Sequence, residues 1–255
     1  MAIAYIGSSG FIVAQNETSQ NTITSATLPN TIQVGRLVVI AAAINNIATA
    51  DGETSDITSI TDTKENLWIK AGEFTNTVGG AAGDGATCAI WYSLITTELT
   101  TSDTITVNFS ANTTAKVIFG RVFSLIAGNT VIATSLQTLA NDNADAGSMT
   151  ISGLNSLEYL FYRAIASETD VFTWTLTSGY NANAQGGQSG TGGSEKNHMS
   201  VNSEFRILTG TSSTSDPTMT DTTADRASLF IAFYELPLFK NRLNINQSVK
   251  RASFY

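Results

Sequence analysis

One histidine, His198, and one cysteine, Cys88, are all that the 255 residues offer toward imidazole or thiolate chemistry. A zinc site or a Ser-His-Asp triad needs several such groups converging from different parts of the chain, and the pattern GxSxG is absent. His198 therefore reads as an ordinary strand-end residue, and Cys88, in an alternating stretch, as a buried thiol. Paired carboxylates could support glycoside hydrolysis, and two groups are candidates: Asp51, Glu53 and Asp56, and Asp216, Asp221 and Asp225. Both lie in Thr/Ser/Gly loops, where acids accept turn N–H groups, and no aromatic-lined cleft can be traced around them. Asn141, Asn143 and Asp145 alternate like the start of a calcium loop, but Gly147 comes one place late and Ser152 stands where a bidentate Glu is needed. That segment reads as a polar turn. The expectation is a protein that is not an enzyme, with no catalytic residue, cofactor or metal.

The elements that must position these residues are strands. Only 13% of residues are charged, Pro is confined to Pro29, Pro217 and Pro237, and no long segment repeats apolar residues at 3.6 spacing. Leu37 to Ile44 is apolar on both faces, which fits a central strand covered on two sides. His198 to Leu208 alternates, with Met199, Val201, Phe205 and Ile207 on one face and Ser200, Asn202, Glu204 and Arg206 on the other. Shorter apolar pieces between polar turns complete an all-β pattern.

The order of these pieces recurs. Phe109, Lys116 and Phe123 match Met219, Arg226 and Phe233 at a constant separation of 110, and Tyr92 to Thr96 matches Phe205 to Thr209 at 113. Trp68 pairs with Trp174 at 106, and Val39 with Phe161 at 122. The expected architecture is a jelly-roll-like sandwich of two antiparallel sheets, built from similar halves spanning about 21–138 and 148–236. Each half supplies the apolar layer that the other lacks. Residues 1–20 form N-terminal strands or an arm, and 237–255 a C-terminal tail.

Net charge bounds the partners. The chain carries −8, while the segment from Lys240 onward contributes +4 without an acid, leaving −12 on the first 239 residues. An acidic body argues against nucleic-acid binding, which needs clustered cations. No run of 18 apolar residues exists, so no membrane span is expected. The N-terminus lacks the charged region of a secretory signal.

Alternation sends Tyr92 and Leu94 inward with Cys88 and Ile90, and places Trp91 on the opposite face. Trp91 is then covered by the N-terminal arm or a loop, meets another subunit, or serves as a sugar platform. The tail mixes Leu238, Phe239, Phe254 and Tyr255 with Lys240, Arg242, Lys250 and Arg251. It cannot bury its apolar groups by itself, so it is expected to pack on another subunit, its cations meeting the acidic body. Trp91 and these eight tail residues are the interface candidates.

The succession GRLVVIAAAI, SITDTKENLW, ATCAIWYSL, SDTITVNFS and AKVIFGRVFSL, with the later LFIAFYE, resembles a group of β-sandwich proteins of tailed-phage virions and related surface proteins. Their generic turn is DTxGNTW; here Asp62, Thr63, Asn66 and Trp68 stand at the turn, and Glu65 replaces the Gly that adopts φ > 0 without strain. The resemblance covers about residues 20 to 236. It implies a structural component on the virion exterior, made in the host cytoplasm. A capsid-decorating or cement protein, assembled as a homotrimer with other virion proteins, is the first form of that reading. A tail or fibre component whose sandwich binds a host surface glycan or receptor is the second.

Overall fold

The computed structural model describes residues 3–6, 11–25, 27–77, 80–141, 145–169, 174–181, 187–189, 198–219 and 224–237. Every regular element among them is a strand. The first half holds β1 (Ala4–Tyr5), β2 (Phe11–Asn16), β3 (Gln20–Thr24), β4 (Arg36–Asn45), β5 (Ile57–Asp62), β6 (Ile69–Thr77), β7 (Gly85–Leu94), β8 (Ile105–Thr113) and β9 (Lys116–Ser124). The second holds β10 (Thr130–Asn141), β11 (Met149–Ile151), β12 (Leu157–Ser167), β13 (Trp174–Thr175), β14 (Gly187–Gln188), β15 (Ser200–Gly210), β16 (Ser213–Ser215), β17 (Thr218–Met219) and β18 (Arg226–Leu236).

Two antiparallel sheets form the centre. One runs β1-β9-β4-β7-β6, with β2 also on β9, and the other runs β10-β18-β12-β15-β14. Their facing sides share one core containing Leu37, Val39, Cys88, Ile90 and Phe123 from the first half and Leu160, Tyr162, Val201, Phe205 and Phe233 from the second. An all-β sandwich of two similar halves is thus the fold, and each carries a further outer layer. The sheet β3-β8-β5 covers the back of the first, and the pairs β11-β16 and β13-β17 cover the back of the second. This layering explains why Leu37 to Ile44 is apolar throughout. Odd positions enter the shared core and even positions meet the outer sheet, so every one of them is buried. Because the chain passes back and forth between central and outer sheets, each half by itself has a jelly-roll weave.

Strand register tests the repeat. The separations of 110 and 113 hold: Leu37 faces Phe123 and Leu94, while Leu160 faces Phe233 and Ile207. The same pairs set β4 and β12 at 123, not 122, so Val39 corresponds to Tyr162 and not to Phe161, which lies on the outer face. A slip of one residue reverses every side chain. Trp174 faces Met219 in β13, as Ile57 faces Phe109 in β5. The counterpart of Trp68 is Tyr180, since Ile69 pairs with Tyr92 and the Asn181 N–H bonds Phe205 O. Corresponding rows from both halves enter the same core, which requires the halves to be related by a rotation about the strand direction and not by a translation.

The boundary between halves also moves. β1 and β2 pair with β9 just as β10 pairs with β18, ending in Asn16 opposite Lys116 and Asn141 opposite Arg226. The expected N-terminal arm is the first strand of the first half, and Thr130 to Thr138 opens the second half instead of closing the first. The halves meet at 125–129. The bulge between Thr134 and Gln137 interrupts the alternation of β10, and nothing local in that strand identifies its partner.

Candidate functional site

The turn from Asp62 to Trp68 is a packing device. Asp62 Oδ1 accepts the Lys64 N–H at 2.8 Å and the Asn66 N–H at 3.3 Å, while Oδ2 accepts Trp68 Nε1–H at 2.8 Å. Asn66 Oδ1 in turn accepts the Thr96 and Thr97 N–H groups at 2.9 and 2.8 Å, tying the turn to the strand-end loop behind it. Glu65 has φ 58°, the left-handed conformation expected of Gly there, so the turn keeps its shape despite the substitution. Trp68 is buried between the central and outer sheets.

The candidate carboxylates do not converge. Asp51 Oδ1 accepts from Thr77 N and Oγ1, Glu53 from Ser55 and Thr54, and buried Asp56 from Ile47 N, Ala48 N and Thr87 Oγ1. Asp216 is exposed, and Asp221 lies outside the described residues. Glu73, not singled out from sequence, is a second buried acid of this region. It takes the Asp56 N–H at 2.6 Å, the Ile57 N–H at 3.0 Å and Lys70 Nζ at 2.6 Å. Burial raises its pKa more than these donors lower it.

The segment resembling a calcium loop is held by other means. Asp145 Oδ1 accepts the Ala146 and Met219 N–H groups, and the Ala146 and Gly147 carbonyls accept from the Arg163 guanidinium at 2.6 and 2.8 Å. Carbonyls already facing a guanidinium are poorly placed for a cation, and Asn143 lies outside the described residues. His198 Nδ1 is 2.6 Å from Glu17 Oε1, joining the β2–β3 connection to the start of β15. Cys88 is fully buried in the shared core, and burial pushes its thiol up to about 12.

Trp91 does face away from Tyr92, as alternation predicts, but it is 6% exposed. The outer sheet β3-β8-β5 covers that face, with Lys70 Nζ 5.4 Å from the ring centroid. Strand residues of that sheet share its cluster with Ala14 of the N-terminal segment and loop residues such as Leu28 and Leu99, and little of the indole is left to meet a subunit or a sugar. The tail candidates Leu238, Phe239, Lys240, Arg242, Lys250, Arg251, Phe254 and Tyr255 lie outside the described residues.

Buried cations lock the layers. Lys116 Nζ donates to Thr18 O and Thr113 O at 2.7 Å each, and its counterpart Arg226 donates from Nη1 to Ala224 O at 2.9 Å. Arg121 spans the shared core to Ser203 O at 3.3 Å and Oγ at 3.2 Å, with the Phe119 and Phe205 rings 4.8 and 5.2 Å from its guanidinium carbon. The Arg121 contacts bind one half to the other, while Lys116 and Arg226 each tie a strand start to its own half.

One cluster was not foreseen. Asp84, Glu168 and Asp225 offer carboxylate oxygens that all lie within 4.8 Å of one another. The three residues come directly before β7, directly after β12 and directly before β18, continuing the inward rows Ala86, Ala166 and Ala227 beyond the strand ends. The Glu168 N–H also bonds Asp225 O at 2.9 Å. Oxygen donors at such spacing suit a hard cation such as calcium. Sequence reasoning grouped Asp225 with its neighbours in the chain; inward parity at strand ends was the signal that could have joined it to Asp84 and Glu168.

The fold and these sites define a duplicated β-sandwich protein whose described polar groups are largely engaged in holding its own layers. Comparison with protein-family models, with curated proteins and with solved structures finds no match.

Proposed function

We propose that this chain is a non-enzymatic structural subunit that assembles with copies of itself, with decoration of a phage capsid surface as its first setting. One observation carries the structural part. Asp51, Glu53 and Asp56 accept hydrogen bonds from their own framework, and the buried cations Lys116 and Arg163 donate to backbone carbonyls. Such groups resist shear between layers and are not poised toward a substrate. The mixture of apolar and basic residues in 238–255 supports joining to a neighbour, with a homotrimer as the simplest closed form. The virion setting rests on the likeness of strands and turn to tailed-phage β-sandwich proteins. A tail or fibre role with glycan binding by the sandwich loops is the second reading, and a sugar platform at Trp91 has little support because that residue is 6% exposed.

Electron-microscope images of virions bearing a tag on this chain test the setting. Regular labelling of the capsid exterior at a fixed copy number is the expected result; labelling of the tail alone would favour the second reading, and unlabelled particles would remove both. Light scattering on the purified protein tests assembly separately.

A further inference from the structure

Six of the seven exposed large aliphatic side chains among the described residues cluster at one end of the sandwich. Val34, Leu67, Ile69, Ile126, Leu157 and Leu236 are between 40% and 71% exposed. All lie where β4, β6 and β12 begin or where β9 and β18 finish; only Leu136 lies elsewhere. Singly, an exposed Leu means little. Here the pattern recurs by the repeat itself: Val34 and Leu157 are related by the separation of 123, and Ile126 and Leu236 by 110. The opposite end carries Asp84, Glu168 and Asp225. Exposed aliphatic side chains are thus concentrated at one end of the body.

The described chain stops at the apolar end, at residue 237, and residues 238–255 continue from there with four cations, no acid, and Leu238, Phe239, Leu243, Ile245, Val249, Phe254 and Tyr255. In the second half this segment begins beside its own Leu236. In the first half the equivalent Ile126 runs into the 125–129 turn and β10, so no segment of that kind follows it. Exposed Glu65 and Glu98 flank the first-half group, giving the cations of a tail something to meet.

We propose that the surface formed by Val34, Leu67, Ile69 and Ile126 receives the 238–255 segment of a second copy of this chain. The inference rests on the reading of the protein as an assembling subunit and names where the joint lies.

The test uses sedimentation velocity on three proteins: the full chain, a chain ending at Pro237, and the full chain with Leu67→Asp and Ile126→Asp. Melting temperature verifies that the exposed substitutions leave the body folded. A full-length oligomer whose dissociation constant rises at least about tenfold in both altered proteins supports the joint, and added salt should weaken it further. Exchange between chains is read by mixing a Leu67→Cys chain ending at Pro237 with a full-length Phe254→Cys chain, Cys88 being buried. A disulfide joining the two, lost on adding Ile126→Asp, is expected. A monomeric full chain overturns both the assembly reading and the joint. An oligomer indifferent to the Asp substitutions, with no disulfide, overturns the joint alone. Release of a self-docked tail from a monomer by Leu67→Asp overturns the second copy as occupant.

Discussion

Arg163 and Glu204 face each other across β12 and β15, at the place where the first half sets Ile40 against Trp91. Both residues of each pair are buried beneath an outer layer. In the second half Ser215 mediates, its Oγ donating to Glu204 Oε1 at 2.5 Å and accepting from Arg163 Nη1 at 3.2 Å. One repeat thus fills the site with apolar side chains and the other with two opposite charges bridged by a serine hydroxyl. Burial lowers Arg163 to about 10, so it stays charged at neutral pH.

Removing one member of the pair leaves the other charge buried. Glu204→Ala should cost about 3–5 kcal/mol, while the double change Arg163→Met/Glu204→Leu should cost far less or stabilise. Urea denaturation midpoints of the three proteins would measure this; equal losses in the single and double variants would contradict it.

Asp62 ties the turn to the Trp68 indole. Asp62→Ala orphans a buried Nε1–H and two turn N–H groups, and a loss of about 3 kcal/mol is expected. Glu65→Gly relieves a left-handed residue and should be neutral or stabilising by up to about 1 kcal/mol. Thermal unfolding of both variants gives the comparison: a clear fall in Tm for Asp62→Ala and no fall for Glu65→Gly.

Burial raises the Glu73 pKa above the ordinary carboxylate value. A raised acid binds its proton more tightly in the folded state, so its contribution is fully present below pH 4.5 and is lost as pH rises through the folded value. Glu73→Gln should remove that part of the slope. Stability measured from pH 4 to 8 in both proteins tests the point, and superimposable slopes would refute it.

With the thiol pushed up to about 12 inside the shared core, Cys88 should resist a thiol reagent at pH 8 and react at once in denaturant. Labelling of the folded protein at the unfolded rate would mean that the two halves separate readily.

Much of this molecule was legible residue by residue. Period-two alternation placed Met199, Val201 and Phe205 on the inner face and turned Trp91 away from Tyr92, because side-chain direction in a strand depends only on neighbouring residues. The turn from Asp62 to Trp68 was visible for the same reason, its donors and acceptors lying within seven residues.

What local pattern could not decide was who faces whom. Trp68 and Trp174 share a residue type but not a place in the repeat, and side-chain type alone sets β4 against β12 one residue out of the separation of 123 that the hydrogen-bonded register shows. Trp91 is enclosed in the cluster beneath the outer layer, with residues far from it in the chain. Asp84, Glu168 and Asp225 meet across 141 residues of chain. The sequence by itself determined which side chains leave each strand together, since that follows from backbone geometry. Only the tertiary structure decided which strands and charges meet, since that depends on how two repeats rotate to bury a common face.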